Sequence, residues 1–151
     1  MKLLSSLEGG LAGSLALTLI HETLKRLDPD SPRMDLMGIE AIEKTLKKAD
    51  AKVPDDRNLF IATLVGDIVS NSLYYSLAGA GKRKSAILRG GILGTVAGIG
   101  AIVLPKYLGL NPSPSNRTEK TKVYTAALYL AGGLVAAAIM RNLEKKPKLL
   151  H

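Results

Sequence analysis

The chain is expected to be an all-α integral membrane protein: a four-helix bundle with an amphipathic interfacial helix between its first two spans. Three observations carry this expectation. Long stretches are nearly free of charge, glycine and alanine recur at four-residue spacing, and the basic residues cluster at the ends of the apolar blocks. Gly9–His21 holds no residue charged at neutral pH with His21 neutral, and neither Gly90–Pro105 nor Val123–Met140 holds any. Asn58–Gly81 carries one charge, Asp67. A hydrocarbon core of ~30 Å needs ~20 helical residues. Four spans are therefore predicted, at about 3–23, 58–78, 86–105 and 123–141, in a single membrane domain covering 1–151.

A soluble bundle would need a charged face beside each apolar stripe. Val123–Met140 and Gly90–Pro105 have none. The start of the chain, Lys2 followed by an apolar run, resembles a signal peptide, but Glu8 and Gly9–Gly10 interrupt it and His21–Arg26 follows directly. A retained first helix is expected. Glu8, about one turn inside, is expected to snorkel or to pair with Lys2.

Leu27–Pro32 is a run of turn residues that stops the first helix. Ser31 before Pro32 reads as an N-cap with proline in the first turn. In the following segment Ile39, Ile42, Leu46, Ala49 and Val53 recur at three- and four-residue steps, and lysines and glutamates fall mostly opposite. That pattern predicts an amphipathic helix at about 33–50, lying in the headgroup plane or capping the bundle end. Spans two and three are joined by the basic hairpin Gly79–Ser85, which contains Lys82, Arg83 and Lys84 and to which Arg89 is assigned. Spans three and four are joined by Lys106–Lys122, whose Pro, Ser and Asn content predicts an exposed loop. A glycosylation triplet, Asn116-Arg-Thr118, falls in that loop and is common by chance.

Net charge is +8, with no cysteine and no tryptophan. Thiol catalysis, Cys-ligated metal and disulfide scaffolds are excluded. The basic residues flank apolar helices, so the expected partners are the bilayer and its anionic lipids rather than nucleic acid. A bacterial inner membrane with both termini cytoplasmic is the expected location.

Lipid removes the hydrophobic drive between helices, so small residues must let backbones approach. Gly9 and Gly13 are spaced for this in span one, Gly90, Gly94 and Gly98 in span three, and Gly132 and Gly133 with their alanine partners in span four. Charge inside a span needs a reason, because a carboxylate at the bilayer centre costs ~2.5–3.5 kcal/mol on insertion scales. Asp67 is the clearest case. Thr63, Asp67, Ser70, Asn71 and Tyr74 form one polar stripe, either a solute or cation site or an interhelical hydrogen-bond knot. In span one Ser14, Thr18 and His21 share a face, with Glu22 one step round. Glu22, Asp28, Asp30 and Asp35 are close enough in sequence for an oxygen-rich metal site to be weighed, but no metal, cofactor or catalytic residue is assigned.

The leading functional expectation is a non-enzymatic structural or assembly protein. It would pack through its Gly/Ala faces, as a homo-oligomer or with a membrane-protein partner. The alternative is a small transporter or channel for a cation, proton or small polar solute using Asp67 and Asn71. A third reading is a lipid-modifying enzyme with His21, Glu22 and Asp28 at the membrane surface.

Overall fold

In a computed structural model, which describes residues 1–144, the chain is all-helical. Six α-helices follow in order: α1 Leu3–Leu27, α2 Met34–Lys48, α3 Asp56–Ser76, α4 Ala86–Tyr107, the single turn α5 Ser113–Asn116, and α6 Glu119–Leu143. Short 3-10 turns at Leu77–Gly79 and Arg83–Ser85 make the hairpin between α3 and α4. Three segments are long and apolar enough to cross a membrane: Leu3–Leu27, Arg83–Tyr107 and Glu119–Leu143. Three such helices suggest a membrane protein; α3, the expected second span, is not among them. The basic tail beyond residue 144, His151 included, lies outside the described residues.

Helix limits differ from the sequence expectation where local chemistry extends or trims a helix. α1 runs on to Leu27 because Lys25 and Arg26 suit the negative end of the helix dipole. α3 starts at Asp56, with the Asp55 carboxylate accepting from the Asn58 amide. α6 starts at Glu119, capped by the Thr118 hydroxyl accepting from the Thr121 amide. Ser31 does not cap α2. That helix begins at Met34 with Arg33 at its N-cap position, and the Ser31 hydroxyl is buried without a partner. The Ser31 amide instead donates to Asp28, closing a turn that ends before the helix begins.

α6 is the central helix. It lies along α4 on one side and α1 on the other, and α1 in turn lies along α3. The contacts are made by small residues. A Cβ added at Gly90 would collide with the Gly133 carbonyl, and one at Gly133 with the Gly90 carbonyl. At Gly94 and Gly98 it would press on the backbone of Leu130 and Ala126. On the other flank Gly13 faces the Gly132 carbonyl, and Gly9 faces Ala136 and Met140. Gly10 meets the Ser72 carbonyl and Gly79 the Ser6 side chain, so α1 also sits tightly on α3 and the hairpin.

Many large aliphatic side chains point the other way. Leu4, Leu11, Leu15, Leu19, Val65, Val69, Leu73, Leu88, Ile92, Val96, Ile99 and Val103 are exposed, whereas Ser5, Ser6, Ser14, Thr121 and Thr125 are buried. This inverts the arrangement of a water-soluble protein and suits a hydrocarbon surround. Three hydroxyls reach carbonyls across helices: Ser14 donates to Ile68 at 2.8 Å, Tyr75 to Tyr129 at 2.8 Å and Tyr74 to Leu93 at 2.8 Å.

At the basic hairpin Arg89 donates to the Ala78 and Lys82 carbonyls. The Lys2 amide donates to Glu144 at 2.7 Å, and Glu8 is exposed, with no ion pair to Lys2 among the described residues. At the opposite end Lys106–Lys122 departs from an exposed loop. Pro114 and Ser115 are buried, the Ser115 carbonyl accepts from Thr125, and the Asn116 amide donates to Ile102. The side chain of the glycosylation triplet is therefore partly buried against α4.

Space at each glycine separates two kinds of substitution. Gly133→Leu places carbon where the α4 backbone lies and should abolish folded, monodisperse protein in detergent. Gly91→Ala meets only the end of Leu134, at 3.7 Å, and should purify with a thermal midpoint within a few degrees of the parent. Fluorescence-detected size exclusion with a thermal ramp reads both.

Candidate functional site

α2 packs on α3 and α5 and keeps Lys44, Lys47 and Lys48 exposed. It rests on α3, where Gly38 meets Thr63, and on the α4–α6 connection. The Arg33 amide donates to Pro114, the Asn111 amide to Glu40, and Lys44 to Gly109. Placed there, α2 roofs a cavity of about 290 Å³ bounded by α1, α3 and α6. That is near the lower end of small-molecule sites, ~300–1,000 Å³.

The cavity wall is mostly apolar, with Leu17, Met34, Ile42, Phe60, Leu64 and Leu128 among its residues. Its polar groups come from three helices: Thr18, His21 and Glu22 from α1, Asp35 from α2, and Thr63, Asp67 and Ser70 from α3. Asp67 stands eleven residues from the start of α3. At 1.5 Å per residue this is about 16 Å below the roofed end. One Asp67 oxygen accepts from the Asn71 side-chain amide at 2.9 Å. Asp67 makes no ion pair with Lys or Arg among the described residues. The Thr18 hydroxyl is buried without a hydrogen-bond partner. Below Asp67 the gap between α1 and α3 closes, through Ser14 on the Ile68 carbonyl and Gly10 against Ser72.

The α3 stripe is divided by its neighbours. Thr63, Asp67 and Ser70 line the roofed cavity, while Asn71 and Tyr74 face a second hollow between α3 and α4. The Thr63 hydroxyl is satisfied within its own helix by Leu59, and that of Ser70 by Asp67. The buried Tyr75 and Tyr129, adjoining the site from α3 and α6, were not singled out by sequence. Their signal was available: a tyrosine within an apolar stretch implies a hydroxyl that needs a partner.

The mouth of the cavity is a charged network. His21 is buried; its Nε2 lies 3.1 Å from the Pro32 carbonyl, and its Nδ1 lies 3.6 Å from Glu22. Asp35 takes two hydrogen bonds from Arg33, at 2.9 and 2.8 Å, and lies 3.4 Å from Lys25. Burial would raise the Asp35 carboxyl, but the Arg33 hydrogen bonds and the nearby Lys25, Arg33 and His21 charges outweigh it and hold it down to about 2. Asp28 belongs elsewhere. Its backbone leaves the helical conformation, and its carboxylate meets Lys120, the Asp30 amide and the Tyr124 hydroxyl, which hold it down to about 2. His21, Glu22 and Asp28 are therefore not brought together, because the break at Asp28 turns that side chain to α6. Glu22, Asp28, Asp30 and Asp35 do not converge either; among the described residues no three His, Asp or Glu side chains form a metal-holding group.

No family model, no curated protein and no solved structure matches this chain. The residues of the cavity carry the functional reading alone.

The network fixes a pH dependence. A carboxylate whose folded value is depressed contributes stability above its ordinary value of 3.8, and that contribution is lost as pH falls through the folded value. The attachment of α2 should thus persist at pH 5 and loosen between about pH 4 and pH 2, read by amide exchange across Met34–Lys48. Asp35→Ala should give the loosened exchange already at pH 7, at a cost of about 1.5–3 kcal/mol.

Proposed function

We propose that the protein is a four-span membrane protein that binds a small cationic solute between α1, α2 and α3, as a carrier or its binding component. The observation that supports this most is Asp67: a mid-helix carboxylate beside a cavity, held by Asn71 and paired with no Lys or Arg among the described residues. A carboxylate in hydrocarbon needs a partner, and the cavity has room for one. Access from the α2 side with closure below it fits one half of an alternating-access cycle.

α3 is read as the fourth span. Its 21 residues reach about 31 Å, and it runs against α1 from Ile68 to the hairpin at Gly79. The basic hairpin, with Lys82, Arg83 and Lys84, then faces the cytoplasm and its anionic lipids, together with the N-terminus.

The assembly reading keeps a separate support. The Gly/Ala rows are occupied within the chain, but Gly91 and Thr95 floor a shallow apolar hollow on the outside of α4, beside Ile92 and Leu130. A second copy or another membrane helix would seat there. The enzyme reading has less, since both His21 nitrogens already lie near acceptors.

In nanodiscs, Asp67→Asn should weaken binding of a small organic cation at least tenfold while leaving size and thermal midpoint near the parent's. Binding independent of Asp67 would leave the assembly reading in its place. Because the chain has no native cysteine, single-cysteine labelling tests the topology cleanly. Asp50→Cys and Lys82→Cys should react from opposite faces of a sealed vesicle; reaction from one face would remove α3 as a span.

A further inference from the structure

The second hollow lies between α3 and α4, and at about 430 Å³ it is larger than the first. Its wall is almost wholly apolar: Met37 from α2, Val96, Ala97, Gly100 and Leu104 from α4, and Leu110 beyond it. It is wide open on its outer side, where α3 and α4 barely touch until Tyr74 reaches the Leu93 carbonyl.

The two hollows are not independent. Met34 and Tyr129 line both, and they are the residues the two walls share. A hydrogen bond also joins them, since Asn71 in the second wall donates to Asp67 in the first. A carboxylate therefore lines one hollow, and an alkyl-lined trough, open on its outer side, adjoins it across Met34 and Tyr129. The divider on the α2 side is a methionine, an unbranched side chain with three rotatable bonds that repacks at low cost.

We propose that the ligand is a single-chain ammonium amphiphile: its cationic head sits by Asp67, and its alkyl chain passes Met34 and Tyr129 into the α3–α4 trough. The inference rests on the cation-binding reading above and adds the tail site and the route, which is sideways from the bilayer between α3 and α4. Each compartment supplies what the other lacks. The inner one has a carboxylate and hydroxyls but is the smaller, and the outer one has more volume and an apolar wall with Asn71 and the two tyrosines Tyr74 and Tyr129 as its polar residues.

Gly100 gives a selective test. A Cβ there meets only the end of Leu104, at 3.4 Å, an ordinary contact, and the residue lies in the trough and not in the inner cavity. Binding of tetramethylammonium and of decyltrimethylammonium is measured to the parent protein, Gly100→Leu and Asp67→Asn in nanodiscs, with uptake by empty nanodiscs subtracted. The parent should bind the decyl compound at least tenfold tighter than the methyl compound. Gly100→Leu should remove most of that advantage and leave tetramethylammonium binding unchanged. Asp67→Asn should weaken both compounds about tenfold.

If chain length gives no advantage, or the advantage survives Gly100→Leu, the tail site is wrong while the Asp67 reading stands. If neither compound binds, or binding ignores Asp67, the cation-binding reading fails and the tail site with it. If Gly100→Leu loses tetramethylammonium as well, the milder Ala97→Val decides. It should reduce the decyl advantage alone, and an undiminished advantage overturns the proposal.

Discussion

The architecture depends on one constraint: between lipid-facing helices, burying a large aliphatic side chain gains nothing, so cohesion has to come from backbone proximity and hydrogen bonds. α6 meets this constraint on two flanks at once. Its Ala126, Gly132, Gly133 and Ala136 receive the glycines of α4 on one side and those of α1 on the other. Those contacts close the seams of α6 with α1 and α4 wherever the small residues meet. The cavities arise where the small-residue rows end and larger polar or aromatic side chains hold helices apart, on either side of α3.

Of the four long helices, α3 is the least committed to its neighbours. It holds α1 through Ser14 and Gly10, and α6 and α4 through the hydroxyls of Tyr75 and Tyr74, with most of these ties in its half nearer the hairpin. Its other half leans on α2. The polar face of α3 is therefore exposed to internal space where α2 roofs it. Asp67 thus stands where the close α1–α3 packing gives way to the cavity.

Much of the frame was legible from residue pattern. Charge-free blocks of sufficient length mark helices suited to a membrane, and the four-residue glycine spacing marks a flat face on α4 before any neighbour is known. The polar positions of α3 could be read in the same way, but not that its neighbours would divide them between two hollows. Three further things could not. The break at Asp28 depends on the partners Lys120 and Tyr124, which lie far along the chain. The composition of Lys106–Lys122 specifies turns but not where they land, and here Ser115 comes to rest fully buried under Thr125. An amphipathic pattern at 34–48 is the same for a helix floating in headgroups and for one roofing a cavity. Its contacts with α3 and the α5 region distinguish them, and those are tertiary facts.

The turn that precedes α2 is fastened along its whole length. Lys120 and Tyr124 grip Asp28, Arg117 reaches the Pro29 carbonyl, and Thr121 reaches that of Asp30. Residues 28–31 are in effect riveted to the head of α6. Any swing of α2 must then pivot at Pro32–Arg33, swinging Met34 and Asp35 first. A rotation of a few degrees about that fulcrum would displace the far end of the helix near Lys48 by ångströms, while the side chains bordering the cavity travelled a fraction as far.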